Sequence, residues 1–143
     1  MDVGKAPSET GARLLKDFPM LEALRAHDPV YVDKLVQLVQ SCADFNRRFA
    51  RPAALEIDRI AHDDRDYFPW EIAKAGCRYG LFSMAIPGKL GGGDCLGVGS
   101  ALAMEELCST CAGIALIFGS TALGIGPLLT SGSLAWWDTH LVE

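Results

Sequence analysis

Four places in this 143-residue sequence carry side chains that could do chemistry: the adjacent Glu105 and Glu106, the pair Cys108-Ser109-Thr110-Cys111, the glycine-rich run Gly88 to Gly93, and the acidic turn Asp63-Asp64-Arg65-Asp66. A carboxylate buried in an otherwise uncharged helix pair would hold its proton and could act as a general base. The commoner role of such a pair is to hold a helix end or to meet a basic partner. Cys108 and Cys111 have the spacing of a redox pair or of half a zinc site, but no second such pair and no nearby histidine accompanies them. They read as two thiols one turn apart on a buried helix face. Gly88-Lys89-Leu90 fails as a phosphate loop, which needs Ser or Thr after Gly-Lys. Gly97-Val98-Gly99-Ser100-Ala101-Leu102 begins like a dinucleotide fingerprint, yet it ends in Leu where a small residue is needed, and no strand precedes it. The acidic turn reads as a solvated loop: His62 adjoins it, but His27 and His140 lie far off, so no metal ligand set forms. Three scattered histidines likewise support no Ser-His-Asp or Cys-His arrangement. On the residues alone, no catalytic, metal-binding or cofactor-binding residue is assigned.

The elements that must position these residues are helical. Asp28 before Pro29 is a helix start, an N-cap acceptor followed by a residue whose missing N–H costs nothing at the first helical position. Leu35, Leu38, Val39, Cys42, Phe45 and Phe49 then recur at three- and four-residue steps as one apolar stripe. Pro52 should kink or restart the helix, after which Ala53, Ile57 and Ile60 resume the stripe. Phe68-Pro69-Trp70-Glu71 opens a further helix that runs to about Tyr79 and stops near Gly80. Leu81 to Ile86 is an apolar link ending at Pro87, and Gly88 to Gly93 a flexible loop. A strong helix from Gly99 to about Cys108 follows, carrying Glu105 and Glu106. No alternating run is long enough to be a strand. Residues 1–28 read as a flexible leader with a possible short helix, and 29–143 as one helical domain.

Composition bounds the rest. Half the residues are hydrophobic and 22% are charged, which suits a globular domain. The net charge of -5 gives no basic face for nucleic acid. Five cysteines, odd in number and mostly in apolar stretches, read as reduced buried thiols of a reducing compartment. The first 18 residues show neither a secretory nor a transit pattern, so the expected location is the cytoplasm, or the mitochondrial matrix in a eukaryote. From Leu107 to Trp137 no residue is charged, which is long enough for a membrane span. The glycines at 113, 119, 124, 126 and 132, Pro127 and the missing Lys/Arg flank argue instead for two short buried helices, broken near Gly124 to Pro127.

Taken in order, several stretches resemble the N-terminal domain of the acyl-CoA dehydrogenase family: Phe49-Ala50-Arg51-Pro52 through Glu56-Ile57-Asp58, Phe68-Pro69-Trp70-Glu71, Gly80-Leu81-Phe82 through Ile86-Pro87, Leu90-Gly91-Gly92, Ala103-Met104-Glu105-Glu106-Leu107, and Leu123-Gly124-Ile125-Gly126-Pro127-Leu128. The resemblance covers about residues 35–132, and the tail from Ser133, with Trp136 and Trp137, departs from it. It implies an all-α helical bundle, followed in the family by a β-sheet domain and a C-terminal four-helix bundle with FAD between those two. The implied reaction is α,β-dehydrogenation of an acyl-CoA thioester in fatty-acid or related metabolism: a glutamate takes the α-proton and a hydride passes to the flavin. That glutamate belongs to the later bundle, so no residue here inherits the catalytic role, and the chain alone is expected to be inactive.

What the resemblance assigns to this domain is part of the acyl pocket. It places Ala115, Gly119 and Leu123 at the pocket's end, four residues apart and so on one helical face; Ala and Gly there would leave space for a long or bulky acyl group, or Gly119 would simply let two helices pack closely. The implied partners are an acyl-CoA substrate, further copies in a tetramer or dimer, and electron-transfer flavoprotein or another acceptor, with no nucleic acid and no membrane span. An acyl-CoA oxidase, a nitroalkane oxidase or a flavin monooxygenase would share this domain. The rival of another class is a non-catalytic helical interaction module.

Overall fold

In the computed structural model, which describes residues 9–95 and 97–132, every regular element among the described residues is helical. Helices α1 (Glu9–Asp17) and α2 (Pro19–His27) precede α3 (Pro29–Phe45). A π-helical turn (Asn46–Ala50) leads into α4 (Arg51–Asp63), and α5 (Trp70–Arg78), α6 (Val98–Cys108) and α7 (Ala112–Thr130) follow. The start of α3 is set as its residues dictate: the Asp28 carboxylate accepts from the Tyr31 N–H at 2.9 Å, with Pro29 in the first turn. The acidic turn after α4 is exposed throughout.

Helix α3 is the spine, because its apolar stripe serves two cores at once. Val32, Leu35, Val36 and Val39 pack with Leu14 and Leu15 of α1, Leu21 of α2 and Leu102 of α6. One turn further on, Cys42 and Phe45 pack with Ile72 and Ala75 of α5, Leu107 of α6, and Ile114, Ala115 and Phe118 of α7. The expected leader is therefore corrected from Glu9 onward: residues 9–27 form two helices that close one of the cores, and burying Leu14, Leu15 and Leu21 stabilises them by about 1.5–3 kcal/mol each. Residues 1–8, and the tail from Ser133 with Trp136, Trp137 and His140, lie outside the described residues.

Pro52 restarts the helix in a specific way. An α-helix would drive its ring into the carbonyl four residues back, at Arg48. The preceding turn instead widens, so that the Arg51 N–H reaches the Asn46 carbonyl five residues back. Beyond it Ala53 and Ile57 resume the stripe, half-buried against the core, while α4 buries no residue fully.

Two sequence expectations are corrected by backbone geometry. The glycine run is not a free loop: Gly93, Asp94 and Cys95 donate to the carbonyls of Ser83, Ile86 and Met84, each at 2.9 Å, folding the run back on the apolar link. Gly92 makes this approach possible, since a Cβ there would sit 2.2 Å from the Ile86 carbonyl oxygen. The uncharged stretch forms one helix rather than two short ones. Helix α7 continues through Pro127, and Ser131 N–H closes onto the Pro127 carbonyl at 3.0 Å. Proline inside a helix costs about 3 kcal/mol through one lost hydrogen bond and a clash with the preceding turn, yet the helix carries on through it here; at Gly124 and Gly126 an added Cβ would meet nothing within 4 Å.

The tightest contact joins α5 to α7. A Cβ on Gly76 would lie 2.1 and 2.3 Å from the edge of the Phe118 ring. That ring is held edge-on by Phe45 at 5.3 Å and Phe82 at 5.0 Å. Gly76→Ala is expected to destabilise the chain by about 1–3 kcal/mol in urea denaturation, because overpacking outweighs the roughly 1 kcal/mol that Ala gains over Gly in a helix. Combining it with Phe118→Leu should cost less than the sum of the two single changes; strict additivity would show that the two residues do not meet.

Candidate functional site

The three residues placed at a pocket end lie on α7 in three different environments. Ala115 is fully buried in the core, Gly119 is half-covered, and Leu123 is 78% exposed. Beyond Phe118 no described residue of α7 is buried, and Leu116 on the outer face is 59% exposed. By length and composition α7 could cross a membrane, yet its first half is anchored through Ile114, Ala115 and Phe118 in a core shared with α3, α5 and α6. The expectation of helices buried among others thus holds for the first half only. The second half presents an apolar surface that these residues do not cover, which in a folded protein marks a place for a ligand or another domain.

The room expected above Gly119 is occupied. A Cβ at Gly119 would lie 2.7 Å from the Met104 Cε and 3.0 Å from its Sδ, so the thioether of α6 fills the notch. Methionine is the side chain best able to move out of such a place, being unbranched and freely rotating. The sequence places Met104 with Leu102 and Leu107 among the apolar residues of this helix, but carries no sign of its contact with Gly119.

Glu105 is exposed, and Glu106 takes the commoner of the two expected roles. Glu106, largely shielded, meets the exposed Arg13 of α1 at 2.7 Å, a pair open to solvent on the arginine side and worth about 1 kcal/mol. Its backbone carbonyl, at the open end of α6, accepts from the buried Asn46 side chain at 2.6 Å and from the Ser109 hydroxyl at 2.7 Å. Asn46 was missed; an amide within an apolar stripe was the clue. A second polar cluster ties α5 to α3: the Tyr79 hydroxyl donates to Asp44 at 2.7 Å, and Arg47 and Arg48 pair with the same carboxylate. The hydroxyl first, then the two arginines, hold Asp44 below the ordinary carboxylate range, and the same carboxylate raises Tyr79.

The cysteines correct their expectation. Cys42 and Cys95 are buried, but Cys77 and Cys108 are exposed and Cys111 is half-exposed; all five are free. Cys108 ends α6 and Cys111 caps α7, so the pair occupies a helix corner rather than a buried face. In the glycine run the amides of Leu90, Gly91, Gly92 and Gly93 all donate to backbone carbonyls, so these four are not free to cradle a phosphate.

An all-helical domain with a half-anchored apolar helix is the class that the fold and this surface define. Residues 33–141 match the N-terminal domain of acyl-CoA dehydrogenases, and the chain belongs to that family. It is 33% identical over 97 residues to the human protein "Short-chain specific acyl-CoA dehydrogenase, mitochondrial", an alignment covering 67% of this chain and 22% of that relative. No solved structure matches the chain. The family match runs on to residue 141, past Ser133, where the sequence had suggested a departure.

Two outcomes follow from this geometry. Because only the movable end of Met104 lies against Gly119, Gly119→Ala should change stability by less than about 1 kcal/mol, in contrast to Gly76→Ala; a larger loss in urea denaturation would mean that Met104 cannot yield. Asp44, with its folded-state value depressed, contributes stability that is full above the ordinary value of 3.8 and is lost as pH falls through the folded value. In Tyr79→Phe, carboxyl NMR titration should show Asp44 moving up toward 3.8, with a shallower loss of stability in acid. An unmoved Asp44 would assign its shift to the arginines alone.

Proposed function

We propose that this chain supplies the N-terminal helical domain of a flavin-dependent acyl-CoA dehydrogenase, and that α7 forms part of the acyl pocket wall through Gly119 and Leu123, with Ala115 fixing the helix from beneath. The observation that carries the reading is the family match over residues 33–141, laid on a helix whose apolar second half has no fully buried residue among the described ones. The proposed reaction is α,β-dehydrogenation of an acyl-CoA thioester. The proton-abstracting glutamate and the FAD site lie outside these residues, so the chain alone neither turns over nor holds flavin tightly. The whole enzyme is a homo-oligomer that passes electrons to electron-transfer flavoprotein or a similar acceptor, and it resides in the cytoplasm or in mitochondria, the latter as the human relative's name says of that protein.

For the substrate, a short acyl chain fits better than a long one. The notch that Gly119 would open is filled by Met104, and the human relative is by name short-chain specific. Met104 then acts as a movable stop at the pocket end. In the full-length enzyme, turnover across acyl-CoA chain lengths should favour short substrates. Met104→Ala should raise kcat/KM for the next longer chains about tenfold or more, as one or two methylenes of pocket depth allow. Unchanged preference in Met104→Ala, with activity intact, would remove Met104 from the pocket; no acyl-CoA turnover by the wild-type enzyme would remove the function itself.

A further inference from the structure

The pair Cys108 and Cys111 has no place in the proposed reaction, and its surroundings differ from those of the other cysteines. We propose that these two thiols form a reversible intramolecular disulfide at the α6–α7 corner, a modification site that takes a low-molecular-weight disulfide as its co-reactant. The backbone brings them together: the Cys111 N–H reaches the Leu107 carbonyl at 3.5 Å and the Thr110 N–H reaches it at 3.3 Å, so residues 108–111 wind through a single turn. Side chains one helical turn apart are about 5–6 Å apart at Cβ, and a disulfide needs Cβ atoms at about 3.5–4.5 Å, a closure that falls at the junction between two helices rather than inside one. Both thiols are within reach of a small molecule, since Cys108 is exposed and Cys111 half-exposed, and neither is paired.

The remaining cysteines lack one or other condition. Cys77 is exposed but solitary in sequence, whereas Cys42 and Cys95 are buried. Burial pushes the Cys42 thiol up to about 12, so it supplies almost no thiolate for attack.

The exchange balances in two steps. One protein thiolate attacks a sulfur of the small disulfide, forming a mixed disulfide and releasing one small thiol. The second protein thiolate then attacks the protein sulfur of that mixed disulfide and displaces the second small thiol. Two protein thiols thus become one disulfide, two electrons pass to the small disulfide, and the two protons leave on its products. The bond would pin the corner from which Ala115 and Gly119 are carried, giving the apolar helix a redox-dependent attachment; this does not depend on the acyl-pocket reading.

The test uses the full chain, equilibrated with graded mixtures of reduced and oxidised glutathione, quenched with an alkylating agent, digested and weighed. The expected result is a peptide spanning Cys108 and Cys111 that has lost two hydrogens, resists alkylation and recovers both thiols on reduction. Cys108→Ser and Cys111→Ser should each stop at the mixed glutathione adduct on the remaining cysteine, while Cys77→Ser leaves the bridge intact. Separate adducts on Cys108 and Cys111 in the wild-type chain, or full alkylation of both where Cys77 is already modified, would overturn the proposal. Exposure of Cys108 makes its serine variant safe for folding, and circular dichroism of each variant verifies this.

Discussion

The contact on which the structure depends is that of the Phe118 ring against the bare backbone of Gly76. It is the place where α7 is fastened to α5, and through Phe45 to the spine α3. A side chain at position 76 would hold the two helices apart, and Phe118 would lose the notch that keeps it between the Phe45 and Phe82 rings. Because Phe118 is the last buried residue of α7, this contact also decides where the helix leaves the body. Beyond it no described residue of α7 is fully buried, from the half-covered Gly119 to the exposed Leu123.

That arrangement explains why a strongly apolar helix can be so poorly covered without the fold failing. The two cores on α3 are complete without the second half of α7: α1 and α2 close one, and α5, α6 and the first turns of α7 close the other. The exposed half is thus free to serve a purpose other than stability. Met104 lies at the boundary between the two regimes, on the core helix α6 but with its thioether against the first outward residue, Gly119. A flexible side chain in that position couples what happens on the outer face to the packing inside.

Much of this was legible in the sequence, and the failures share a cause. Asp28-Pro29 announced α3, and the stripe from Leu35 to Phe45 announced its buried face, because capping and periodicity are local properties. The family resemblance was legible for the same reason, as short segments in order. Gly76 was silent, since a residue without a side chain does not reveal what presses on it. The helices at residues 9–27 were hidden by neighbouring Gly and Pro, although Leu14, Leu15 and Leu21 were in view; only their burial against α3 makes the segment helical. Pro127 was read as a break because proline usually breaks helices, yet α7 continues through it to Thr130. Cys108 and Cys111 were taken as buried because their surroundings in sequence are apolar, although the end of α6 at Cys108 was legible. Of the proposed pocket residues, the helical face was readable, but Met104 over Gly119 was not, as it is a contact between two elements.

The central claim is that the outward half of α7 lies against an acyl chain whose depth Met104 limits. Its most direct test is a crystal structure of the full-length enzyme with an unreactive acyl-CoA analogue of the length it turns over best. The account predicts the terminal carbon of the acyl group in van der Waals contact, about 4 Å, with the Met104 thioether and the Gly119 backbone. An acyl chain that ends elsewhere, with Gly119 and Leu123 facing solvent or another domain instead, would contradict it.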